Sequence, residues 1–272
     1  MKLQIGQYEF SEVWDNIYYK KLSDYPNVSD WEMKNIIQFM EYEAQYGRTT
    51  YVEADDPKIK NTIFEKLKAK EKYFHVSRPN KITECTACPY RKGCITEFVC
   101  HTAPLENAKN IFRSGKLLAA IHARKLPAEV LMKEERNRAH DPADFFHYVM
   151  FAWGNCQAGD RLVMERKMNR LPTEEDLSVH FTPGVRFYFK YDEIAQHPQA
   201  TFDGFLPIKV LDEVDLAKWV YAIIIPKNYQ EELVELIPNQ LTEKVHYIEN
   251  DCKDIWDWSE KVYTYVEKLS QK

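Results

Sequence analysis

The stretch ITEFVCHTAPLENAKNIFRSG, residues 95–115, joins a strand pattern to a helix pattern across one proline. ITEFVCH (95–101) predicts a short strand that ends at His101. PLENAKNIFRSG (104–115) predicts a short helix, because it opens with a proline and closes with a glycine, which are favoured at those positions. Its apolar residues recur at helical spacing: Leu105, Ala108, Ile111 and Phe112. The sequence therefore places a histidine at the junction of a strand and a helix.

The second half of the chain alternates further strands with helices. Strands are predicted over VRFYFKY (185–191), KVLDEVDL (209–216), WVYAIIIP (219–226) and KVHYIE (244–249). Helices are predicted over NYQEELVELIP (228–238) and DIWDWSEKVYTYVEKL (254–269). This alternation predicts an α+β fold.

The first 80 residues show mainly helical patterns. WEMKNIIQFMEYEAQ (31–45) has apolar residues at helical spacing behind a serine or aspartate cap. PKIKNTIFEKLKAKE (57–71) begins at a proline and continues with the same spacing. We therefore expect a helical N-terminal region, and residues 123–150 are also predicted to be helical.

The composition excludes several classes of protein. The 272 residues are 44% apolar and 14% aromatic, which allows a large core and argues against disorder. A net charge of −5 excludes a strongly basic nucleic-acid-binding protein, although a local basic patch is compatible with it. No apolar run approaches the ~20 residues of a membrane helix, and MKLQIGQYEFSEVWD at the start lacks the apolar core of a signal peptide. We expect a cytoplasmic protein in a reducing compartment.

Three cysteines lie close together, at Cys85, Cys88 and Cys94. In a reducing compartment such thiols are more typical of metal ligation than of disulfides. Their Cys-x2-Cys-x5-Cys spacing resembles the loop that holds a [4Fe–4S] cluster in RecB-type and CRISPR-adaptation nucleases, and zinc is the alternative. That resemblance implies a distant fourth ligand, for which the candidates are Cys100, Cys156 and Cys252. Cys100 is the nearest in sequence, and we expect the metal to have a structural role.

Three further motifs resemble those of the ADP-ribosyltransferases. They are VCHTAPLENAKNIFRSGKLLAA (99–120), GVRFYFKYDE (184–193) and VLDEVDLAKWVYAIIIPKNYQEEL (210–233). In order, they resemble the family's histidine strand and helix, its tyrosine strand, and its glutamate strand. Within the family the chain is most similar to the DarT-like branch, which modifies DNA bases. The resemblance covers roughly residues 98–250, and it implies a split β-sheet that binds NAD.

The resemblance also implies the roles of four residues. Breaking the nicotinamide–ribose bond of NAD gives an oxocarbenium-like transition state, which a carboxylate beside the ribose stabilises. Glu213 would take that role, and His101 would bind the ribose hydroxyls. The backbone of Thr102 would hold the carboxamide, and Tyr188 would stack on the nicotinamide ring.

A glycine-rich segment suggests a fifth site residue. WGNCQAGDRLVMERK (153–167) nearly copies the Gly-x4-Gly-Lys-Ser/Thr phosphate loop of ATPases. It lacks both the lysine and the hydroxyl that bind phosphate and magnesium, and this excludes an ATPase. Arg161 remains a candidate for a bidentate contact with a pyrophosphate.

Other interpretations stay open at this point. Glu213 lies in a charged stretch that is typical of a solvated face, and Glu243 and Glu249 are rival carboxylates. The second interpretation is an iron–sulfur or zinc protein that processes nucleic acid as a nuclease does, for which residues 165–167 provide a poor motif. The third is a non-catalytic nucleotide-binding module, in which His101 and Glu213 face solvent.

The patterns divide the chain into a helical N-terminal region (1–80), a Cys-rich metal loop (81–97) and an ADP-ribosyltransferase-like domain (98–272). The expected substrate is NAD, and the expected cofactor is a [4Fe–4S] cluster or zinc. The branch resemblance alone slightly favours DNA or RNA over protein as the acceptor. No membrane partner is expected, and the sequence does not identify a regulatory partner such as an antitoxin.

Overall fold

Two β-sheets with separate hydrophobic cores organise the chain. They are seen in a computed structural model that describes residues 1–8, 11–79, 97–134, 140–178 and 181–271. Helices and mixed sheets occur together, which confirms the coarse prediction of an α+β fold. Within these ranges, none of the helices combines the length and the apolar character needed to cross a membrane.

The smaller sheet is formed near the N-terminus. Its unit consists of β1 (Lys2–Gly6), β2 (Glu12–Trp14), β3 (Ile17–Lys21), α1 (Asp30–Gln45), β4 (Tyr51–Ala54) and α2 (Pro57–Leu67). The strand order is β2-β3-β1-β4, and β1 runs parallel to both of its neighbours. Alternate residues of β1 point into the core, where Leu3 and Ile5 are fully buried together with Met33 and Ile36 of α1.

The prediction of a mainly helical N-terminal region needs correction, because four strands lie among its helices. Both predicted helices are confirmed: α1 starts at a capping box of Ser29 and Glu32, and α2 starts at Pro57. The strands have only three to five residues each, too few for an alternating pattern to stand out in the sequence.

The larger part of the chain contains the remaining elements. Its strands are β5 (Phe98–Ala103), β6 (Lys116–Leu118), β7 (Tyr148–Trp153), β8 (Val185–Lys190), β9 (Ala200–Thr201), β10 (Ile208–Leu211), β11 (Glu213–Asp215), β12 (Ala222–Pro226) and β13 (Val245–Ile248). Its helices are α3 (Leu105–Ser114), α4 (Ala120–Arg124), α5 (Ala128–Leu131), α6 (Ala158–Met168), α7 (Glu174–Ser178), α8 (Tyr191–Ile194), α9 (Leu216–Trp219), α10 (Gln230–Leu233) and α11 (Ile255–Ser270). Short 3-10 helices lie at Lys70–Tyr73, Ala143–His147, Lys227–Tyr229, Val234–Leu236 and Asn239–Lys244.

Seven of these strands form one sheet in the order β13-β12-β8-β5-β7-β10-β9, and β6 pairs with β11 in a separate ladder. The central strands β8 and β12 are almost entirely buried, because both faces of the sheet are covered. On one face Phe112 of α3 packs against Phe187, with 5.8 Å between the ring centroids. On the other face α11 contributes the fully buried Trp258.

Three predicted elements differ from the structure. The helix predicted over residues 228–238 is a short α10 between two 3-10 helices. Residues 123–150 are not one helix: they hold the end of α4, the short α5, a 3-10 helix and the start of β7. The predicted strand 209–216 is split into β10 and β11 at Asp212, whose φ of 61° is left-handed. A non-glycine residue in that region interrupts an extended strand, and the partner strand changes there from β7 to β6.

The seven-stranded sheet opens in the middle. Strands β5 and β7 are paired at Val99↔Trp153 and Cys100↔Ala152, and their pairing ends there. Beyond this point β5 stays paired with β8, whereas residues 148–151 of β7 are paired with β10. The two strands therefore diverge, and we call the opening between residues 101–103 of β5 and Met150 of β7 the fork.

Candidate functional site

His101 lies where the fork begins. Its ring is half-buried, and its Nδ1 is 3.0 Å from the carbonyl oxygen of Met150 across the opening. A carbonyl oxygen only accepts hydrogen bonds, so Nδ1 carries the proton and Nε2 is left as an acceptor. Loss of solvation lowers the pKa of His101 below its usual 6.5, and the positive charge of Arg166 lowers it further. The imidazole is therefore neutral at pH 7, with one nitrogen free to accept a hydroxyl proton.

We expect His101 to titrate below pH 6.5 as the Nδ1-protonated tautomer, a result that two-dimensional ¹H–¹⁵N NMR of the imidazole would show. Because its folded-state pKa is depressed, the neutral ring's contribution to stability is complete above about pH 6.5 and is lost as the pH falls through the folded-state pKa. The spectrum of His101→Asn assigns the signal. A midpoint at or above 6.5, or an Nε2-protonated ring, would contradict this geometry.

The residue after His101 is covered by α6. A Cβ atom on Gly159 would lie 2.3 Å from Oγ1 of Thr102, and one on Gly184 would lie 2.7 Å from Cγ2 of the same residue. Only glycine allows the backbone to come this close. The glycine spacing that resembles a phosphate loop is therefore partly explained by packing against Thr102.

A buried polar network lies next to that contact. Asp160 accepts hydrogen bonds from the backbone N–H of Gly184 at 2.7 Å and from Nε of Arg186 at 3.0 Å. Both charged side chains are 0% exposed, and Arg186 also contacts Ser259 of α11. The network joins α6, β8 and α11 through charge-assisted hydrogen bonds.

Tyr188 belongs to this network and not to the fork. Its hydroxyl accepts from Arg186 at 3.2 Å, and the residue is 0% exposed. In the β5–β8 ladder Tyr188 is opposite Cys100, whereas His101 is opposite Phe187. Alternation then puts Tyr188 and His101 on opposite faces of the sheet. The structure does not bring these two predicted site residues together, and the buried ring is not available to stack on a ligand.

Glu213 lies in the β6–β11 ladder, outside the seven-stranded sheet. Lys116 of β6 donates to its carboxylate at 2.6 Å, and both side chains are about half exposed. The two rival carboxylates also lie outside the fork: Glu243 is in a 3-10 helix, and Glu249 pairs with Lys227 just after β13. Glu213 is accessible, but in this arrangement it faces a lysine.

Arg166 is a site residue that the sequence did not reveal. It follows Gly159 by seven positions on α6, so both lie on the same helix face, and Gly159 packs on Thr102. Loss of solvation lowers the pKa of Arg166, and so does the nearby charge of Arg124. Arg166 itself lowers the pKa of His101. The guanidinium of Arg166 therefore lies within electrostatic reach of His101, and the carboxylate of Glu165 partly offsets its charge.

Arg161, the arginine singled out from the sequence, is exposed on α6, and Arg166 is exposed too. It is five positions from Arg166, so the two side chains point in different directions from the helix. Arg166 lies seven positions after Gly159, the glycine that packs on Thr102, and a spacing of seven puts both residues on one helix face. This spacing is the sequence signal that would have favoured Arg166.

The β10 residue opposite Met150 is a buried cation. Lys209 is 0% exposed, and its Nζ is 3.0 Å from a carboxylate oxygen of Asp203. The same nitrogen is 3.7 Å from the ring centroid of Tyr42 in α1 and 4.0 Å from that of Phe145. Cation–π contacts of this kind anchor the N-terminal unit to the β7–β10 half of the sheet. Lys209 and Met150 point to the face of the sheet opposite to Phe151, and His101 lies near Phe151, so this lysine does not face His101.

Three of the predicted metal ligands, Cys85, Cys88 and Cys94, lie outside the residues that the structure describes. Cys100 is buried beside Thr102, and burial raises the pKa of its thiol to about 12. The other candidate ligands, Cys156 and Cys252, are half-buried. In the part of the chain that is described, no three His, Cys, Asp or Glu side chains are grouped so that they could hold a metal ion.

Comparison with known proteins adds no family. The chain matches no protein-family model, no curated protein and no solved structure.

Proposed function

We propose that the chain binds NAD at the fork and transfers its ADP-ribose to a macromolecular acceptor. The single observation that carries the proposal is the opening of the sheet at His101, within electrostatic reach of the cationic side chain of Arg166. A dinucleotide has what such a site can bind, namely ribose hydroxyls next to a pyrophosphate. The motif resemblance supplies the reaction, since geometry alone supports only the binding.

Each group of the fork has a part in this proposal. Nε2 of the neutral His101 accepts a hydrogen bond from a ribose hydroxyl. Arg166 and Arg124 repel each other, and a pyrophosphate between them replaces that repulsion with charge-assisted hydrogen bonds. Arg124 already donates to Glu134 at 2.6 Å, which leaves Arg166 as the main anion ligand.

The transfer itself breaks one bond and forms another. Nicotinamide leaves from C1′ of the ribose with the electron pair of the bond, and a nucleophile of the acceptor then bonds to C1′ and releases its proton to solvent. Glu213 is the proposed stabilising carboxylate: Lys116 donates to one of its oxygens, and in the proposal the other oxygen interacts with the ribose. Tyr188 has no part in the proposal, because its ring is enclosed on the opposite face from His101.

Calorimetric titration with NAD tests the binding step. We expect wild-type protein to bind NAD, and His101→Ala and Arg166→Ala each to weaken binding by about tenfold or more, because each removes a hydrogen bond that includes a buried or charged group. Arg161→Ala distinguishes the two arginines of α6 and is expected to have little effect.

Arg170→Ala is a matched control. Arg170 follows directly on α6, is about half exposed and pairs with Asp176. Equal losses in Arg170→Ala and Arg166→Ala would indicate a general charge effect and would remove Arg166 from the site. Wild-type protein that does not bind NAD at millimolar concentration would overturn the proposal.

A second function is favoured by the positions of the two other predicted catalytic residues. Glu213 is engaged by Lys116, and Tyr188 is enclosed on the face opposite to His101. A fork with these features binds a nucleotide without cleaving it. In that case NAD binds with the mutational pattern given above, and no nicotinamide is released in the presence of DNA, RNA or protein acceptors.

A metal remains part of the proposal. The cysteine loop would hold a [4Fe–4S] cluster or zinc as a structural element through Cys85, Cys88 and Cys94. Cys156 and Cys252 suit the fourth position better than Cys100 does, because the Cys100 thiol is enclosed by the core whereas the other two are only half-buried. Metal analysis of anaerobically purified protein distinguishes iron from zinc.

A further inference from the structure

A histidine and an aspartate form a hydrogen-bonded pair next to Glu213. Nε2 of His122 in α4 is 2.9 Å from Oδ1 of Asp212, the residue that separates β10 from β11. A carboxylate only accepts hydrogen bonds, so Nε2 carries the proton and Nδ1 is left as an acceptor. Both side chains are nearly half exposed, which leaves the imidazole accessible to a ligand. The pair therefore has the geometry of a general base whose tautomer is fixed by a carboxylate.

The backbone of Asp212 holds this pair in place. Its φ of 61° is left-handed, a conformation that glycine adopts more easily than aspartate does. The carbonyl oxygen of Asp212 accepts from the N–H of Ala119 at 2.7 Å, and its own N–H donates to the carbonyl oxygen of His147 at 2.9 Å. These two bonds connect Asp212 to the residue before α4 and to the residue before β7. An ion pair this exposed contributes little to stability, so stability alone does not explain a carboxylate at this position.

The ladder that leads to Asp212 covers the face of the sheet that carries His101. His101 is opposite Phe187 in the β5–β8 ladder, and its ring centroid is 6.3 Å from that of Phe151. Both phenylalanines belong to the hydrophobic core that contains Leu117 of β6 and Val214 of β11. The β6–β11 ladder therefore packs on the His101 face, and the His122–Asp212 pair lies at the end of that ladder.

Electrostatic contacts also connect α4 to the fork. Arg124, two residues after His122 in α4, lies within electrostatic reach of Arg166. Arg166 in turn lies within reach of His101. Glu213, the proposed stabilising carboxylate, directly follows Asp212 in the chain. Two consecutive residues therefore supply the carboxylate for the ribose and the carboxylate that orients the imidazole.

We propose that His122 is the general base of the transfer and that Asp212 positions it, an inference that rests on the proposed function. Nicotinamide leaves with the electron pair of its bond to C1′. As the acceptor bonds to C1′, Nδ1 of His122 takes the proton of the acceptor group, and the imidazolium then releases it to solvent. Asp212 stabilises the positive charge of that imidazolium. The class of acceptor follows: a base serves a hydroxyl or N–H group, and not a group that is already an anion.

Two small nucleophiles test the role of His122 with the full chain and NAD. Water loses a proton when it bonds to C1′ and gives ADP-ribose, whereas azide has no proton to lose and gives ADP-ribosyl azide. Liquid chromatography separates the two products. In His122→Gln we expect formation of ADP-ribose to fall about 100-fold, the lower end of what a general base contributes, and formation of the azide adduct to be unchanged. Glu213→Gln should reduce both products, because positive charge develops at the ribose with either nucleophile.

Asp212→Gly tests the positioning residue. Glycine keeps the left-handed backbone, so we expect the unfolding midpoint to change little. Formation of ADP-ribose should fall, whereas formation of the azide adduct should not. His140→Gln is the matched control, because His140 is also exposed and is also paired with an aspartate, Asp15 of the N-terminal unit. This variant should form both products at the wild-type rate.

The inference and the proposed function fail in different ways. Equal losses of both products in His122→Gln, no loss of either, or the same losses in His140→Gln would overturn the role of His122 and leave the proposed function standing. Wild-type protein that forms neither product from NAD would remove the transfer reaction, and the role of His122 with it.

Discussion

Replacing Asp160 by asparagine is expected to lower the free energy of unfolding by about 3–5 kcal/mol, the cost of removing one partner of a buried ion pair. Arg186 is 0% exposed, and Asp160 is the carboxylate that compensates its charge. Asparagine has nearly the same shape, so the loss would come from charge and hydrogen bonding rather than from a cavity. Urea unfolding followed by circular dichroism measures the effect.

Asp192→Asn is the matched control for that experiment. Asp192 also pairs with an arginine, Arg78, but the carboxylate side chain is 79% exposed, so solvent weakens the pair. Its replacement should leave the unfolding midpoint nearly unchanged. If Asp160→Asn were as mild as Asp192→Asn, the network of α6, β8 and α11 would not be the element that holds this side of the sheet together.

Replacing Glu213 by glutamine is expected to reduce the release of nicotinamide from NAD on the order of 100-fold, the usual cost of losing one electrostatic contact to a transition state. Glutamine keeps the size of the side chain and can still contact Lys116, so the ladder of β6 and β11 should be preserved. NAD affinity should change little, because the carboxylate acts on the charge that develops only during bond cleavage. The measurement is nicotinamide release with acceptors present, alongside calorimetry of NAD binding.

Glu243→Gln and Glu249→Gln serve as controls of the same chemistry. Both residues flank β13, whereas Glu213 lies in the β6–β11 ladder. Neither substitution should affect the rate of nicotinamide release. Loss of activity in either control, with Glu213→Gln unaffected, would assign the carboxylate role elsewhere. An inactive wild-type protein that still binds NAD would favour the non-catalytic alternative.

Much of the fold was predictable because local patterns determine it. The predicted strand at 95–101 overlaps β5, and α3 ends before Gly115, which has the left-handed backbone expected of such a cap. The apolar run of β12 and the amphipathic α11 were also predicted correctly. These elements have either a strong repeat of apolar residues or clear start and stop residues such as proline and glycine, so the local sequence suffices to identify them.

The candidate site was less predictable, because the register between strands that are distant in sequence decides which side chains lie together. The alternation of VRFYFK shows that Phe187 and Tyr188 face opposite ways, but not which of them shares a face with His101. A shift of one residue between β5 and β8 would exchange them. Nor does any local pattern show that β5 and β7 separate after two pairs, or that Arg166 lies near the opening.

The most direct test of the central claim is a crystal structure of the protein soaked with NAD. The account predicts the dinucleotide in the fork, with a ribose hydroxyl hydrogen-bonded to Nε2 of His101 and the pyrophosphate at Arg166. NAD bound elsewhere on the protein, with His101 and Arg166 not in contact with it, would contradict the account.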